Sequence, residues 1–306
     1  MTALKVPGQL RWEVLVVDNG SEDDTAEVIA SYATVLPIVC VREPQAGLSN
    51  ARNAGVRHAR GRYIVWTDDD VRLDEGWLTA YVQAFETFSD AAVFGGSAVP
   101  VLEEPTPAWF SQNEFIGLLA HRDPRGLPRQ LSIDGPLPWG LNFAIRAIEQ
   151  RSHLYDPLLG VAPGRRRCGE EEQVIGQILA SGAKGYWVPD AIVLHIIPAS
   201  RQTLEYVKSY FKAQGETKIV REESAGRRYG TRELVGSIRR AARQYLLYRL
   251  RKLDHDSFVW IKHFKKFAYE AGAVEYLLSS DRRRTLRSAT PKGKLDFSAP
   301  GSLADH

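Results

Sequence analysis

A short apolar strand that ends in three consecutive carboxylates limits the folds open to this chain. Gly61-Arg62 reads as a turn and Tyr63-Ile64-Val65 as a buried strand; Asp68, Asp69 and Asp70 arrive where that strand stops, after Trp66 and Thr67. Adjacent carboxylates repel one another unless a cation neutralises them, and hard oxygen ligands of this kind suit Mg²⁺ or Mn²⁺. A solvated acidic turn would explain the same three residues taken alone. In open α/β sheets, however, ligands bind at the carboxyl ends of the strands, so the flanking sequence decides between the two.

The flanking sequence alternates strand and helix. Val14–Val17 is an apolar run that ends at the turn Asp18-Asn19-Gly20-Ser21. A helix from Thr25 to Leu36, stopped by Pro37, precedes a strand over Ile38–Arg42, and Leu48–Ala59 is a helix closed by Gly61. A helix over Gly76–Phe88 and a strand over Ala92–Val99 follow. This order predicts an α/β fold with a mostly parallel sheet and helices on both faces. Residues 101–135 lose the periodicity and read as a long surface loop, a candidate mobile flap. Beyond it come a helix over Glu172–Ser181, short strands over Gly185–Val188 and Ala191–His195, and a helix over Leu204–Gln214. Helical pattern returns over Thr231–Leu278, and Asp281–His306 is polar and reads as disordered. The expected domains are therefore 1–220, a basic helical extension over 221–280, and a tail over 281–306.

With 306 residues, 44% of them apolar, the chain can bury one large core with an appendage. Cys40 and Cys168 provide no disulfide framework, which points to a reducing, cytoplasmic compartment. The first ten residues lack the apolar core of a signal peptide, and no apolar run approaches the roughly 18 residues of a spanning helix. The net charge of +3 divides unevenly, −6 over residues 1–220 and +9 over residues 221–306. The basic part suits an anionic phospholipid surface, and no nucleic-acid partner is expected. Arg239, Arg240, Arg243, Arg249, Arg251 and Lys252 there are interleaved with Ile238, Tyr245, Leu246, Leu247, Tyr248 and Leu250, a partly amphipathic pattern that suits either a peripheral membrane contact at the inner face or a soluble helical cap with a solvated basic face.

Four segments in order, VLVVDNGSEDDT, GLSNARNAGVRHARGRYIVWTDDDV, WGLNFAIR and GEEEQVIGQILASGAKGYWVPDAIVLHIIP, resemble the family 2 glycosyltransferases, which have the GT-A fold. The resemblance covers roughly residues 11–215. It implies transfer of a sugar, with inversion, from a nucleotide-diphosphate sugar (a UDP-sugar by preference) to a glycan, lipid-linked or other hydroxyl acceptor, assisted by Mg²⁺ or Mn²⁺. Bacterial relatives of this kind serve cell-envelope polysaccharide synthesis.

Residue by residue, the resemblance implies that Asp18 accepts a hydrogen bond from the base and that Arg52 grips base or phosphate, while Asn53 is structural. Asp68 and Asp69 would touch the donor. Asp68, Asp70 and His195 would hold the metal. Trp139, Gly140, Asn142 and Glu170 would lie near the sugar and acceptor, and Glu171 would be the base that deprotonates the acceptor hydroxyl. Each residue has a plainer role open to it: a turn aspartate, a helix-surface arginine, a core tryptophan or histidine, acids at a helix N-terminus.

In one respect the chain departs from the family pattern. Family members begin with a strand and helix ahead of the segment that corresponds to Val14–Asp18. Here Ala3–Leu10 reads as the tail of that helix, and the strand that lies between Val14–Asp18 and Tyr63–Asp68 is expected to be missing. A late start site is the favoured explanation, with an incomplete chain or a degenerate paralogue as alternatives. The missing strand also admits a second function, a catalytically inactive GT-A-like binding partner.

Overall fold

The computed structural model describes residues 1–122, 126–253, 258–280 and 282. The expected disordered tail falls outside these residues except at Arg282. The described chain divides into two compact units. The first comprises residues 1–106, 115–164 and 169–199; the second comprises 107–114, 165–168 and the residues from 200 onward.

In the first unit the elements run β1 (Val14–Asp18), α1 (Thr25–Ser31), β2 (Ile38–Arg42), α2 (Leu48–His58), β3 (Tyr63–Thr67), β4 (Val71–Leu73), α3 (Trp77–Thr87), β5 (Ala91–Leu102), β6 (Asn142–Arg146) and α4 (Ala147–Ser152). The two-residue strand β7 (Val161–Ala162), helix α5 (Glu170–Ala180) and strand β9 (Lys184–Ile197) complete this unit, and the two-residue β8 (Arg165–Arg166) belongs to the second. The main sheet has the order β3-β6-β5-β9-β4. Its longest pairing, β5 with β9, is parallel and spans eleven residue pairs. Strand β6 enters antiparallel between β3 and β5, and β4 lies antiparallel on β9. Each of these shorter strands follows a turn or loop rather than a crossover helix, which permits the reversed direction.

Side chains on β5 and β6 alternate between two cores, as a sheet covered on both faces requires. Val93, Phe143 and Ile145 join Val56 of α2 and Val174, Ile175 and Ile178 of α5 on one face. Phe94 and Ala144 join Trp77, Leu78 and Tyr81 of α3 on the other. The two short strands expected around Pro189-Asp190 are one strand, β9, because the irregularity is absorbed as a bulge. The register slips between Gly96 and Ser97, and the Pro189 carbonyl accepts a hydrogen bond from Ser97 Oγ at 2.7 Å.

Strands β1 and β2 pair in parallel over five residues as a separate two-stranded sheet. Among the described residues no strand lies between β1 and β3, in keeping with the expected gap. Helix α2 spans the two sheets. A side chain on Gly55 would meet Trp66 of β3 at 3.0 Å and Val17 of β1 at 3.7 Å, so only glycine lets the helix sit this close to both. The N-terminal residues do not form the expected helix tail. Leu4, Val6, Leu10 and Trp12 pack against the α3-side core without helical structure. They are fastened there by Lys5 N–H on the Glu75 carbonyl at 2.8 Å and by Thr79 Oγ1 on the Lys5 carbonyl at 2.6 Å.

The 101–135 segment is better anchored than a flap. Leu118, Leu119 and Leu131 are buried, and the Leu131 N–H bonds the Gly185 carbonyl at 2.8 Å.

The second unit contains α6 (Leu204–Ser224), α7 (Thr231–Arg251) and α8 (Trp260–Leu278). Helix α6 extends ten residues beyond the expected Gln214 and belongs with α7 and α8, so the division falls at Ala199/Ser200 and not at residue 220. Glycines set the close crossing of α6 and α8. A side chain on Gly215 would overlap the Tyr269 carbonyl, and one on Gly272 the Lys212 carbonyl. No described helix is long and apolar enough to cross a membrane.

Candidate active site

The site is assembled around Arg52, on the buried side of α2. Its guanidinium donates from Nη1 to Glu170 Oε1 at 2.9 Å and from Nη2 to the Gly140 carbonyl at 3.1 Å, with Asp68 Oδ1 3.7 Å away. The rings of Trp66, Phe143 and Tyr155 surround it with centroids at 5.5–6.0 Å. Burial alone would loosen the arginine's proton, but the field of Glu170, Tyr155, Asp68 and Glu171 outweighs it, so the cation is held. The sequence placed Arg52 on the nucleotide. In the folded chain it is buried, its donors face protein acceptors, and it acts as a strut between the acidic run, residue 140 and α5.

Gly140 is fixed at both of its peptide groups. Its carbonyl takes Arg52, and its N–H donates to Glu171 Oε1 at 3.2 Å. A Cβ here would stand 2.7 Å from Arg52 Nη2, so any side chain would push the guanidinium from its place. Gly169 precedes α5 with φ +83°, a left-handed conformation that favours glycine, and it turns the chain so that Glu170 and Glu171 open the helix. Both carboxylates are buried. Burial, and then the charge of Glu170, push the Glu171 pKa well above the usual carboxylate range, with Arg52 opposing.

That shift carries a sign. The folded state holds the Glu171 proton more tightly than the unfolded chain does. Its contribution to stability is therefore largest below the unfolded carboxylate pKa, about 4.3, and declines as pH rises toward the folded value. Wild type is expected to lose stability between pH 4 and neutrality relative to Glu171→Gln, which cannot ionise; paired urea titrations across that range measure the difference.

The acidic run lies where the sequence places it, at the end of β3. Asp69 is exposed, while Asp68 and Asp70 are half-buried. Burial raises the Asp68 pKa; Arg52 opposes this, and the charges of Asp70, Glu170 and Asp69 add to it. Strand β4, which the sequence did not reveal, pairs Val71 with His195 of β9 and so carries Asp70 beside that histidine. His195 is buried, and its Nδ1 donates to the Leu119 carbonyl at 2.8 Å. The Nε2 atom lies 3.8 Å from Asp70 Oδ2. Among the described residues no group of three or more His, Cys, Asp or Glu side chains is placed to hold a metal ion, so Asp68, Asp70 and His195 do not come together as the expected ligand set. An open cleft of about 350 Å³ is lined by Thr67, Asp68, Asp69 and Val71.

Asp18 is buried at the end of β1. Its Oδ1 accepts the Ser21 N–H at 2.8 Å, and this bond holds its pKa below the usual value. Asn19 is a residue the sequence reading missed. Its Nδ2 donates to the Glu43 and Gln45 carbonyls and its Oδ1 accepts from Gly47 N–H at 2.7 Å, tying the loop after β1 to the loop before α2. Asn53 is structural, as expected, exchanging two hydrogen bonds at 2.9 Å with the Tyr155 backbone.

Asn142 is a correction. Expected near sugar or acceptor, it is fully buried and all its hydrogen bonds are internal. Oδ1 accepts from Trp77 Nε1 and Tyr81 Oη, both at 2.9 Å, and Nδ2 donates to the Ser97 and Ala191 carbonyls at 2.7 and 2.8 Å. Trp139 is half-buried. Its Nε1 lies 3.3 Å from the His121 carbonyl, and the Arg122 guanidinium is 5.0 Å from its ring centroid. Arg122 is thus a second cation near the site that the motifs did not mark.

Comparison with known proteins identifies the family and the fold. Residues 3–146 match the family model described as glycosyl transferase family 2. This segment belongs to that family. Among curated family 2-like relatives, the succinoglycan biosynthesis protein ExoM of Rhizobium meliloti is 30% identical over 122 residues, 39% of either chain. The dolichyl-phosphate beta-glucosyltransferase ALG5C of Trichomonas vaginalis is 34% identical over 118 residues, 37% of this chain and 35% of that one. The match therefore spans about two-fifths of these relatives' length. Among solved structures, the mannosyltransferase PcManGT from Pyrobaculum calidifontis, in complex with GDP-Man and Mn²⁺, superposes with a TM-score of 0.55 at 16% identity, covering 87% of this chain and 78% of that one. The fold is GT-A.

Proposed function

We propose that the chain transfers a sugar from a nucleotide-diphosphate sugar to a hydroxyl acceptor. The observation that carries this reading is the chain of contacts from Asp68 through Arg52 and Gly140 to Glu171, which couples a donor-side carboxylate to a buried acid with a raised pKa. In this reading Glu171, once ionised, takes the proton from the acceptor O–H as that oxygen attacks the anomeric carbon. The bond from that carbon to the diphosphate oxygen breaks, its electron pair stays on the diphosphate, and a single displacement inverts the anomeric centre. Asp18 receives the base, a role that suits the N3–H of uracil and so a UDP-sugar. Asp69, exposed, and Asp68 face the donor. Glu170 and Arg52 position Gly140 and Glu171, and Trp139 presents its indole toward sugar or acceptor.

Asp68, Asp70 and His195 would hold a divalent cation, completed by oxygens of the diphosphate, as Mg²⁺ and Mn²⁺ sites commonly are. Bound there, the ion would offset the negative charge of the leaving diphosphate. The double variant Asp68→Asn/Asp70→Asn is expected to abolish Mn²⁺-dependent UDP binding measured by calorimetry; unchanged binding would remove the acidic run from the donor site.

The gap between β1 and β3 favours one competing reading, a GT-A-like module that binds without turnover, since Asp18 sits on a strand with no ladder to the main sheet. Micromolar affinity for UDP with Mn²⁺, together with release of UDP from a UDP-sugar, would decide for the enzyme. Absence of both would decide for the binding module.

A further inference from the structure

Helix α7 has two unlike faces. Toward α8 it turns Ser237, Arg240, Gln244 and Tyr248. Gln244 Oε1 meets His263 Nδ1 at 2.8 Å, Arg240 Nε donates to Glu270 at 2.7 Å, and the Tyr248 ring lies 5.1 Å from Phe264. The opposite face is Val235, Arg239, Ala242, Leu246 and Arg249, spaced alternately four and three apart, and all five are exposed. Ile238, Leu250, Arg232 and Arg243 flank this row, exposed as well. Leu246 is 59% exposed and Leu250 55%, and Leu253, just past the helix end, 73%. Phe258 and Val259, ahead of α8, are exposed as well. Glu233, the one acid of α7, accepts the Gly230 N–H at 2.8 Å at the helix start. No carboxylate therefore neutralises Arg239 or Arg243 among the described residues.

We infer that this outward face of α7 docks on an anionic lipid surface. The charge pattern selects this occupant. A second copy of the chain, paired through the same seam, would set arginines against arginines with no acid to separate them. A nucleic acid would satisfy the arginines but leave Leu246, Leu250 and Leu253 against a polar backbone. A bilayer interface offers phosphate at headgroup depth and an acyl boundary beneath it, which matches arginines flanking a leucine row on one face. Arg240, which the sequence pattern grouped with the others, points to Glu270 and is not part of the surface. The inference is independent of sugar transfer and holds for an enzyme or a binding module alike.

Sedimentation of the full chain with vesicles tests it. At low salt the chain is expected to sediment with equimolar phosphatidylcholine and phosphatidylglycerol, and not with phosphatidylcholine alone. Arg239→Gln/Arg243→Gln should lower partitioning about thirty-fold, from two basic residues lost, and high salt should reproduce that loss. Leu246→Ser/Leu250→Ser should lower it at low salt with the helical circular dichroism unchanged. Equal binding to phosphatidylcholine alone, no sedimentation at low salt, or partitioning unmoved by either variant would overturn the proposal. So would a dimer in light scattering that Leu246→Ser/Leu250→Ser dissolves, or oligonucleotide binding tighter than vesicle binding and lost only with the arginines.

Discussion

Glu171→Gln is expected to lower sugar transfer by about 10²–10⁴-fold while leaving UDP affinity close to wild type. The amide preserves size and keeps an oxygen for the Gly140 N–H, so the position of residue 140 should survive. What is lost is the ability to take a proton. Because burial and the charge of Glu170 hold the acid neutral well above the usual carboxylate range, the wild-type rate should rise with pH along an acid limb displaced upward from ordinary glutamate, and the variant should show no such limb. The measurement is product formation against pH on both proteins, with calorimetry for donor affinity. Equal rates would remove Glu171 from the chemistry and leave it a structural acid.

Asn142→Ala is expected to be the most destabilising single change, by about 3–5 kcal/mol. The estimate follows from what the amide leaves behind. Trp77 Nε1, Tyr81 Oη and the carbonyls of Ser97 and Ala191 would all lose a partner inside the core. Asn142→Asp should also be damaging, since a buried carboxylate cannot donate to two carbonyls. Urea denaturation of the purified variants reads both. A loss under about 1 kcal/mol for the alanine would mean that water or a shifted side chain replaces the amide.

These two residues mark where the sequence was and was not legible. The position of Glu171 in the first turn of a helix could be read, because an acidic run after Gly169 and ahead of an apolar-periodic stretch is a local pattern, while its role came only from the family resemblance. The strands Val14–Asp18, Ile38–Arg42 and Tyr63–Thr67 could be read for the same reason, as apolar runs bounded by turns. Asn142 was misplaced because nothing local distinguishes an amide that faces a ligand from one that faces Trp77, sixty-five residues earlier. The same holds for Arg52. Its partners Glu170 and Gly140 lie 118 and 88 residues away, and only the folded chain shows the guanidinium enclosed by three rings. The direction of β6 was not legible either, since strand periodicity is the same for both senses of pairing. Nor was the length of α6, where the burial of Ile219 and Val220 beyond Gln214 depends on helices further along the chain.

The separation of β1 and β2 from the main sheet bears on how the molecule breathes. Among the described residues no backbone ladder links the two sheets, so the parallel β1-α1-β2 unit can open without rupturing a ladder hydrogen bond of β3-β6-β5-β9-β4. Its attachment relies on α2 and on the Asn19 amide that ties neighbouring loops. Such a unit belongs to the low end of the local stability scale. Asp18 rides on it. A nucleotide held by Asp18 on one sheet and by the acidic run on the other would act as a clasp, and part of its binding free energy would go into closing that unit, weakening measured affinity while making occupancy itself a source of order.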